Sequence, residues 1–555
     1  MQNSSPPPFE LRCIDSLVKV FADDALTALP HVRAAALLNE TYSFQAAYRS
    51  DRLLKQVGVR VQSELAPRIS IRQVGLVPAE MLNYSDHDAH VLRVTPGLYP
   101  DPLYPIDAAD GLTCLPGQWR SVWISVDLDA TIARGVYPIR VVFADAQSDE
   151  LGTADFELEV LPCALPEQQI MHTEWFHADC LATYYKTDVF SERHWELIDN
   201  YVRAYVRYGA NMILTPLFTP PLDTAPGLER PTVQLVRVEM VEEGSYRFDF
   251  GLLERWIALC LRHGIRCFEF SHLFTQWGAQ HAPKVMAYTN GAETKIFGWE
   301  TDAAGEPYKS FLSRLLPELV AFIHTYGIQD RCYFHLSDEP KLEHLEAYES
   351  ASTLLRKHLG GLPIVDALSA PDFYASGLVH TPIPPTDHAE HFLPIVEGER
   401  WTYYCCDQYK QVSNRFFCMP SARNRIIGMQ LYKYAVNGFL HWGYNFWYSQ
   451  FSRKEVDPFK STDADYGFPA GDAFLVYPGA DGHPLASIRL EVLHEGFQDL
   501  RALCLLESLA GRDTAIAILE AGLETPLTFA TYPRDEGWIV QCRQRINSAI
   551  KTYLD

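Results

Sequence analysis

The residues best suited to chemistry stand in one run, RCYFHLSDEP, from Arg331 to Pro340. An apolar stretch, CYFHL, ends in two adjacent carboxylates, Asp338 and Glu339. Pro340 then stops strand pairing, because it has no backbone N–H to donate. Charge placed just past a buried strand is costly to desolvate, which marks either a site or a helix start. Capping of a helix near Lys341 by Ser337 or Asp338 explains one polar residue. It leaves His335 and the second carboxylate without a reason, and a site supplies one. Two carboxylates suit acid–base work on a glycosidic bond, but their adjacency restricts the form. Neighbouring Cα atoms lie about 3.8 Å apart, whereas an ordinary retaining or inverting pair approaches the sugar from opposite faces. Adjacent carboxylates better fit a substrate-assisted reaction. There one protonates the leaving oxygen while the other steadies a 2-acetamido group that attacks the anomeric carbon.

Positioning such a run requires strand ends that converge. Five helical stretches run to a glycine and pass at once into a short apolar strand. They are SERHWELIDNYVRAYVRYG to Gly209, LLERWIALCLRHG to Gly264, LSRLLPELVAFIHTYG to Gly327, KLEHLEAYESASTLLRKHLGG to Gly361 and IIGMQLYKYAVNG to Gly438. A left-handed glycine cap is expected at each helix end, and the alternation predicts a parallel sheet. IMHTEW, WTYYCC and LVHTPI bring the strand candidates to eight, enough for a TIM-like (β/α)8 barrel over residues 169–487. A doubly wound sheet is the alternative, but no glycine-rich phosphate fingerprint follows the first strand. Ahead of the barrel, VLRVTPG, RSVWISVDLD, YPIRVVFADA and FELEVLPC alternate at period two. They predict an antiparallel β-sandwich over residues 1–168, closed by a hinge at LPCALPEQ and holding no catalytic candidate. Residues 488–555 read as a helical extension in which Arg489, Glu491 and Asp499 form ion pairs between helices. The fold class is therefore multidomain α/β.

A barrel gathers the C-terminal ends of its strands at one mouth. That rule nominates Glu174 after the first strand, with Trp175 and His177 beside it. His272 follows the third, with Gln276 and Trp277 close behind; His335 belongs to the fourth and Asp366 to the fifth. WTYYCCDQ offers Tyr403, Tyr404 and Asp407, and the last strand offers Trp442, Tyr444, Asn445 and Trp447. Aromatic faces stack on the apolar face of a pyranose while carboxylates and amides fix its hydroxyls, so the set suits a carbohydrate substrate. His177, Asp179 and Cys180 lack metal-ligand spacing, and neither a nucleophile elbow nor a Walker loop is present. No metal and no cofactor are expected.

Composition narrows the partners. The chain has 555 residues, 47% hydrophobic and 21% charged, with a formal net charge of −23, a balance that disfavours nucleic acid and anionic membrane. No stretch reaches the length of a membrane span. The twelve cysteines follow no regular spacing, and MQNSSPPPFELRCID has neither the basic nor the apolar region of a signal peptide. Reduced core thiols and a cytoplasmic address are expected; the oligomeric state is not indicated.

The HLSDEP turn, GFLHWGYNFW, NETYSFQAAYR and FLVYPGADGHPLASIRLEVLHEGFQDLRAL together resemble glycoside hydrolase family 123 and the wider set that shares its catalytic domain. The resemblance spans nearly the whole chain. It implies an exo-acting β-N-acetylgalactosaminidase whose substrate supplies its own nucleophile, with Asp338 as oxazolinium stabiliser and Glu339 as general acid/base. It also implies a sandwich, a barrel and a helical tail. Two alternatives stand beside it. One is a glycosidase of the same fold for another sugar: N-acetylglucosamine, or a non-acetamido sugar cleaved with a carboxylate from another strand such as Glu174 or Asp366. The other is a non-catalytic carbohydrate-binding protein, which the intact carboxylates argue against.

Overall fold

The computed structural model describes residues 8–276 and 278–554. Trp277 and the first part of the SSPPP tract lie outside the described residues. The N-terminal part forms two five-stranded layers. One orders Phe9–Asp15, Glu40–Ser50, Arg120–Leu128, Ile69–Ala79 and Gly97–Pro105; the other orders Arg33–Leu38, Glu150–Ala164, Gly135–Ala144, Leu54–Gln62 and Leu112–Cys114. Pairing within them is antiparallel except between Arg33–Leu38 and Glu150–Ala164. Phe44, Val122 and Ile124 of the first layer meet Val141, Phe143 and Phe156 of the second, with the Phe44 and Phe156 rings stacked at 4.2 Å. Trp123 points the other way, into the core of the helical region. RSVWISVDL is thus buried on both faces, which explains why it reads as a nearly continuous apolar run. VLRVTPG forms no strand before Gly97. Residues 80–96 instead make a loop that crosses to the other half of the molecule, where Arg423 holds Asp88.

Beyond Gln169 the eight strand candidates are all strands: β1 Met171–Glu174, β2 Met212–Thr215, β3 Cys267–Phe270, β4 Cys332–His335, β5 Ile364–Ala367, β6 Thr381–Ile383, β7 Trp401–Tyr403 and β8 Gly438–His441. Their ladders are parallel and form two sheets, β2-β3-β4-β5-β6 and β1-β8-β7. At one seam the Asn211 N–H donates to the His172 carbonyl at 3.1 Å; at the other a single bridge joins Pro385 to Tyr403. Regular pairing among the described residues thus forms a five-stranded and a three-stranded ladder in place of the one continuous sheet expected. Asn211 and the prolines at 382, 384 and 385 break the regular pairing where the sheets meet, because proline supplies no N–H.

The main helices are α1 Glu192–Arg207, α2 Gly251–His263, α3 Glu306–Thr325, α4 Leu345–His358, α5 Ile427–Lys433, α6 Ile488–Ala510 and α7 Glu536–Leu554. Ser191 caps α1 by accepting from the His194 N–H. Gly209, Gly264, Gly327 and Gly361 adopt positive φ after their helices, as expected. Gly438 does not. The left-handed residue after α5 is Ala435, with φ +50°. Gly438 opens β8, where a Cβ would lie 2.1 Å from the Trp401 indole. Its glycine serves a close approach and not a helix cap.

α6 binds the two halves together. Arg489 pairs with Asp101 at 2.9 Å and Glu491 with Arg72 at 2.7 Å, both partners coming from the N-terminal layers. Asp499 pairs with Arg425 and Arg543. Of the three ion-pairing residues, only Asp499 joins helix to helix; the other two fasten α6 to the sheets.

Candidate active site

The strand ends surround a cleft of about 270 Å³. Asp338 and Glu339 line it after β4, Trp175 and His177 after β1, Asp223 after β2 and Gln276 after β3. Tyr403, Cys405, Cys406 and Asp407 line it from β7, and Trp442 and Phe446 from β8. The β4 turn is fixed from both sides. The Ser337 N–H donates to Asp366 Oδ2 at 3.1 Å, and the Ser337 hydroxyl donates to the Thr275 carbonyl at 2.8 Å. Glu339 then takes a left-handed backbone, φ +44°, unusual for a residue with a side chain. That turn sends two successive carboxylates to the same cleft.

Neither carboxylate forms an ion pair among the described residues. Asp338 also has no hydrogen-bond partner among them. Burial, followed by the charges of Glu339, Asp366, Glu269 and Asp223, holds its carboxyl well above the ordinary range. Burial likewise raises Glu339; the Tyr403 hydroxyl, donating to Glu339 Oε1 at 2.5 Å, opposes that shift, and Asp407 and Asp387 add to it. A carboxyl kept protonated near neutrality can donate a proton to a leaving oxygen.

Under the cleft lies a second polar layer. Glu269, from the middle of β3, accepts from the Thr173 hydroxyl at 2.7 Å and from Trp175 Nε1 at 2.6 Å, and pairs with His335 Nε2. These bonds hold the Trp175 indole upright as a cleft wall. On the opposite strand ends, Asp472 accepts from Trp442 Nε1 at 2.9 Å, and burial lifts its carboxyl to about 7. Asp223 is raised to about 6 by burial and accepts from the Phe451 N–H at 2.9 Å.

Of the residues nominated by sequence, Asp338, Glu339 and Trp442 line the cleft, together with their neighbours Trp175, His177, Gln276, Tyr403 and Asp407. The others are placed elsewhere. Glu174 is buried against Arg415, both carboxylate oxygens 2.9 Å from Nη1, and contacts His172 and His441. Asp366 sits behind the β4 turn, accepting from Ser337 and the Tyr348 hydroxyl; burial lifts it to about 7. His335 belongs to the layer below, stacked on His272 at 4.3 Å. Tyr404 faces away from the mouth, against Phe439 and His441, because strand side chains alternate and Tyr403 takes the inner face. Tyr444 packs on Tyr205 and Phe176. Asn445 bonds both backbone groups of His177, fixing the β1 loop. Trp447 packs on Tyr184 and donates to the Val476 carbonyl.

Sequence reasoning missed Asp223, Glu269, Asp472 and Tyr84. Only Glu269 left a signal, a glutamate in the centre of the apolar CFEF strand. The metal reading of His177, Asp179 and Cys180 fails on geometry. Arg230 holds both oxygens of Asp179 at 2.7 Å and donates to His177 Nδ1, while His177 Nε2 donates to the Trp442 carbonyl. Among the described residues no cluster of three or more His, Cys, Asp or Glu is placed to hold a metal ion.

Comparison with known proteins gives three results. The family model for the glycoside hydrolase 123 catalytic domain matches residues 175–506. A structure of a family 123 glycoside hydrolase from Clostridium perfringens, described in work on glycolipid glycan hydrolysis, is similar over 98% of both chains, with a TM-score of 0.77 and 16% identity. An endo-β-1,4-mannanase from Thermotoga petrophila matches 60% of this chain and 77% of its own, at 12% identity and a TM-score of 0.35, too low to carry an argument. No curated protein sequence matches.

Proposed function

The chain belongs to glycoside hydrolase family 123, and from that premise we propose that it removes terminal β-linked N-acetylgalactosamine from glycans by substrate-assisted, retaining hydrolysis. The carrying observation is the pair of adjacent carboxylates on one strand end, turned to one cleft without a cationic partner among the described residues. Glu339 protonates the glycosidic oxygen as the bond to the anomeric carbon breaks. The carbonyl oxygen of the 2-acetamido group attacks that carbon from the other face. Asp338, which releases its proton to solvent as the acetamido N–H comes to donate to it, holds that N–H and steadies the positive charge of the oxazolinium ring. Glu339, now ionised, takes a proton from water as it opens the ring, restoring the acid and the β configuration. Trp175 and Trp442 supply apolar faces for the sugar.

Supporting this reading, the two carboxylates nominated from other strands for a conventional pair are engaged elsewhere: Glu174 with Arg415 and Asp366 with Tyr348 and Ser337. The eight strands are proposed to act as one (β/α)8 barrel whose two seams are joined by a few hydrogen bonds each, spanning residues 169–487 between the sandwich (1–168) and the helical region (488–555). The Clostridium perfringens relative, studied on glycolipid glycans, supports a glycoconjugate substrate.

The test is a set of aryl β-glycosides with one leaving group and varied C2 and C4. The N-acetylgalactosaminide is expected to turn over, with its 2-hydroxy counterpart nearly inert. Comparable cleavage of the 2-hydroxy sugar, or a covalent glycosyl adduct trapped on Asp223, overturns the mechanism. Preference for the C4 epimer reassigns the sugar.

A further inference from the structure

One cleft wall comes from the N-terminal layers. Tyr84 sits on the 80–96 loop, which is fastened to the catalytic half along its length. The Met81 N–H donates to Asp463 Oδ2 at 3.0 Å, the Tyr409 hydroxyl donates to Asp86 at 2.9 Å, and Arg423 grips Asp88 at 2.9 and 3.0 Å. The Leu92 N–H donates to the Cys418 carbonyl at 2.7 Å. Between these anchors the Tyr84 ring meets Tyr409 edge-on at 4.7 Å and lines the cleft, half-buried, beside Cys406 and Asp407. Its position is fixed, and nothing in the reaction described above uses it.

The wall containing Tyr84 is continuous with Glu339. It runs from Tyr403, bonded to Glu339, through Cys405 and Cys406 to Asp407, whose charge acts on Glu339. Asp338 has no such link to this wall: among the described residues it has no hydrogen-bond partner, and the charges that act on it are those of Glu339, Asp366, Glu269 and Asp223. This step rests on the reading that Glu339 protonates the leaving oxygen; the group attached to that oxygen then extends along the Glu339 wall. We infer that Tyr84 and Asp407 form the subsite for the leaving group and that it takes a neutral pyranose. The tyrosine ring covers the apolar C–H face of that sugar, and Asp407 accepts from one of its hydroxyls. A carboxylate-bearing residue is disfavoured there, because Asp407 and Glu339 already crowd the wall with acid groups. The N-terminal layers thus contribute directly to substrate choice.

The experiment uses the full chain and two donors built on the sugar that the aryl-glycoside set identifies. One donor is its β-linked disaccharide with a neutral hexose; the other is its glycosyl fluoride, which carries no second sugar. A different donor sugar therefore corrects the proposed function without touching this test. Tyr84→Ala is expected to lower the ratio of kcat/KM on disaccharide to kcat/KM on fluoride about tenfold, mainly through KM. Tyr84→Phe, which keeps the ring, should restore the ratio. Equal losses on the two donors, an unchanged ratio, or failure of the phenylalanine to rescue each overturn the subsite.

Discussion

Glu174 and Glu339 occupy the same kind of place, the end of a short buried parallel strand, and have opposite surroundings. Glu174 lies against the Arg415 guanidinium, with His172 and His441 around it. Glu339 has one tyrosine hydroxyl and several like charges. A buried carboxylate with a cation is neutralised and held still; one without a cation keeps its proton and can give it away. Position at a strand end nominates a residue. The presence or absence of a counter-charge decides whether it holds the fold or does chemistry.

The widest separation should appear in turnover. Glu339→Gln is expected to cut kcat by roughly 10²–10⁴ on glycosides with poor leaving groups and far less where the leaving group needs no proton. Equal losses across a leaving-group series would remove Glu339 as the acid. Stability should separate the two glutamates in the reverse sense. Glu174→Ala leaves Arg415 buried without its carboxylate, against His441, the Gly443 carbonyl and the Tyr404 ring, and a cost of about 3–5 kcal/mol is expected in urea unfolding. Glu339→Ala should stay within about 1 kcal/mol of wild type, because no ion pair is broken. Similar costs at both positions would erase the comparison.

A smaller effect sharpens it. The alkaline limb of kcat/KM follows loss of the Glu339 proton. The Tyr403 hydroxyl stabilises the ionised form, so Tyr403→Phe should raise the Glu339 pKa and move that limb to higher pH. Asp407 opposes ionisation, so Asp407→Asn should move the limb to lower pH. Shifts in the same direction, read from pH–rate profiles on a phenyl glycoside, would contradict the assigned surroundings.

The pair of carboxylates that lines the cleft was legible because two acids follow an apolar strand and precede a proline. The eight parallel strands could likewise be found from their apolar runs, and four of five helix ends from glycine, whereas the more polar, exposed strands Arg237–Glu242, Ser245–Asp249, Val285–Thr289 and Ala292–Phe297 could not. Parity was harder to read. WTYYCC shows two tyrosines, and only the registry of β7 sends Tyr403 inward and Tyr404 outward. Glu174 looked like a ligand because its partner, Arg415, lies 241 positions away. Tyr84 was invisible for the same reason, since the loop that carries it gains its meaning from Arg423, Tyr409 and Asp463. Gly438 matched the cap pattern by spacing while serving the Trp401 indole. Local pattern identifies elements; long-range neighbours assign the work.

The left-handed backbone of Glu339 sets catalysis against thermostability. A residue with a Cβ gives up about 1–2 kcal/mol to hold that conformation, and glycine would be relieved of it. Selecting variants of this chain for heat tolerance alone would therefore reward loss of the proposed proton donor. Any such library needs activity as a second criterion, or its hardiest members will include inert ones altered at this single position.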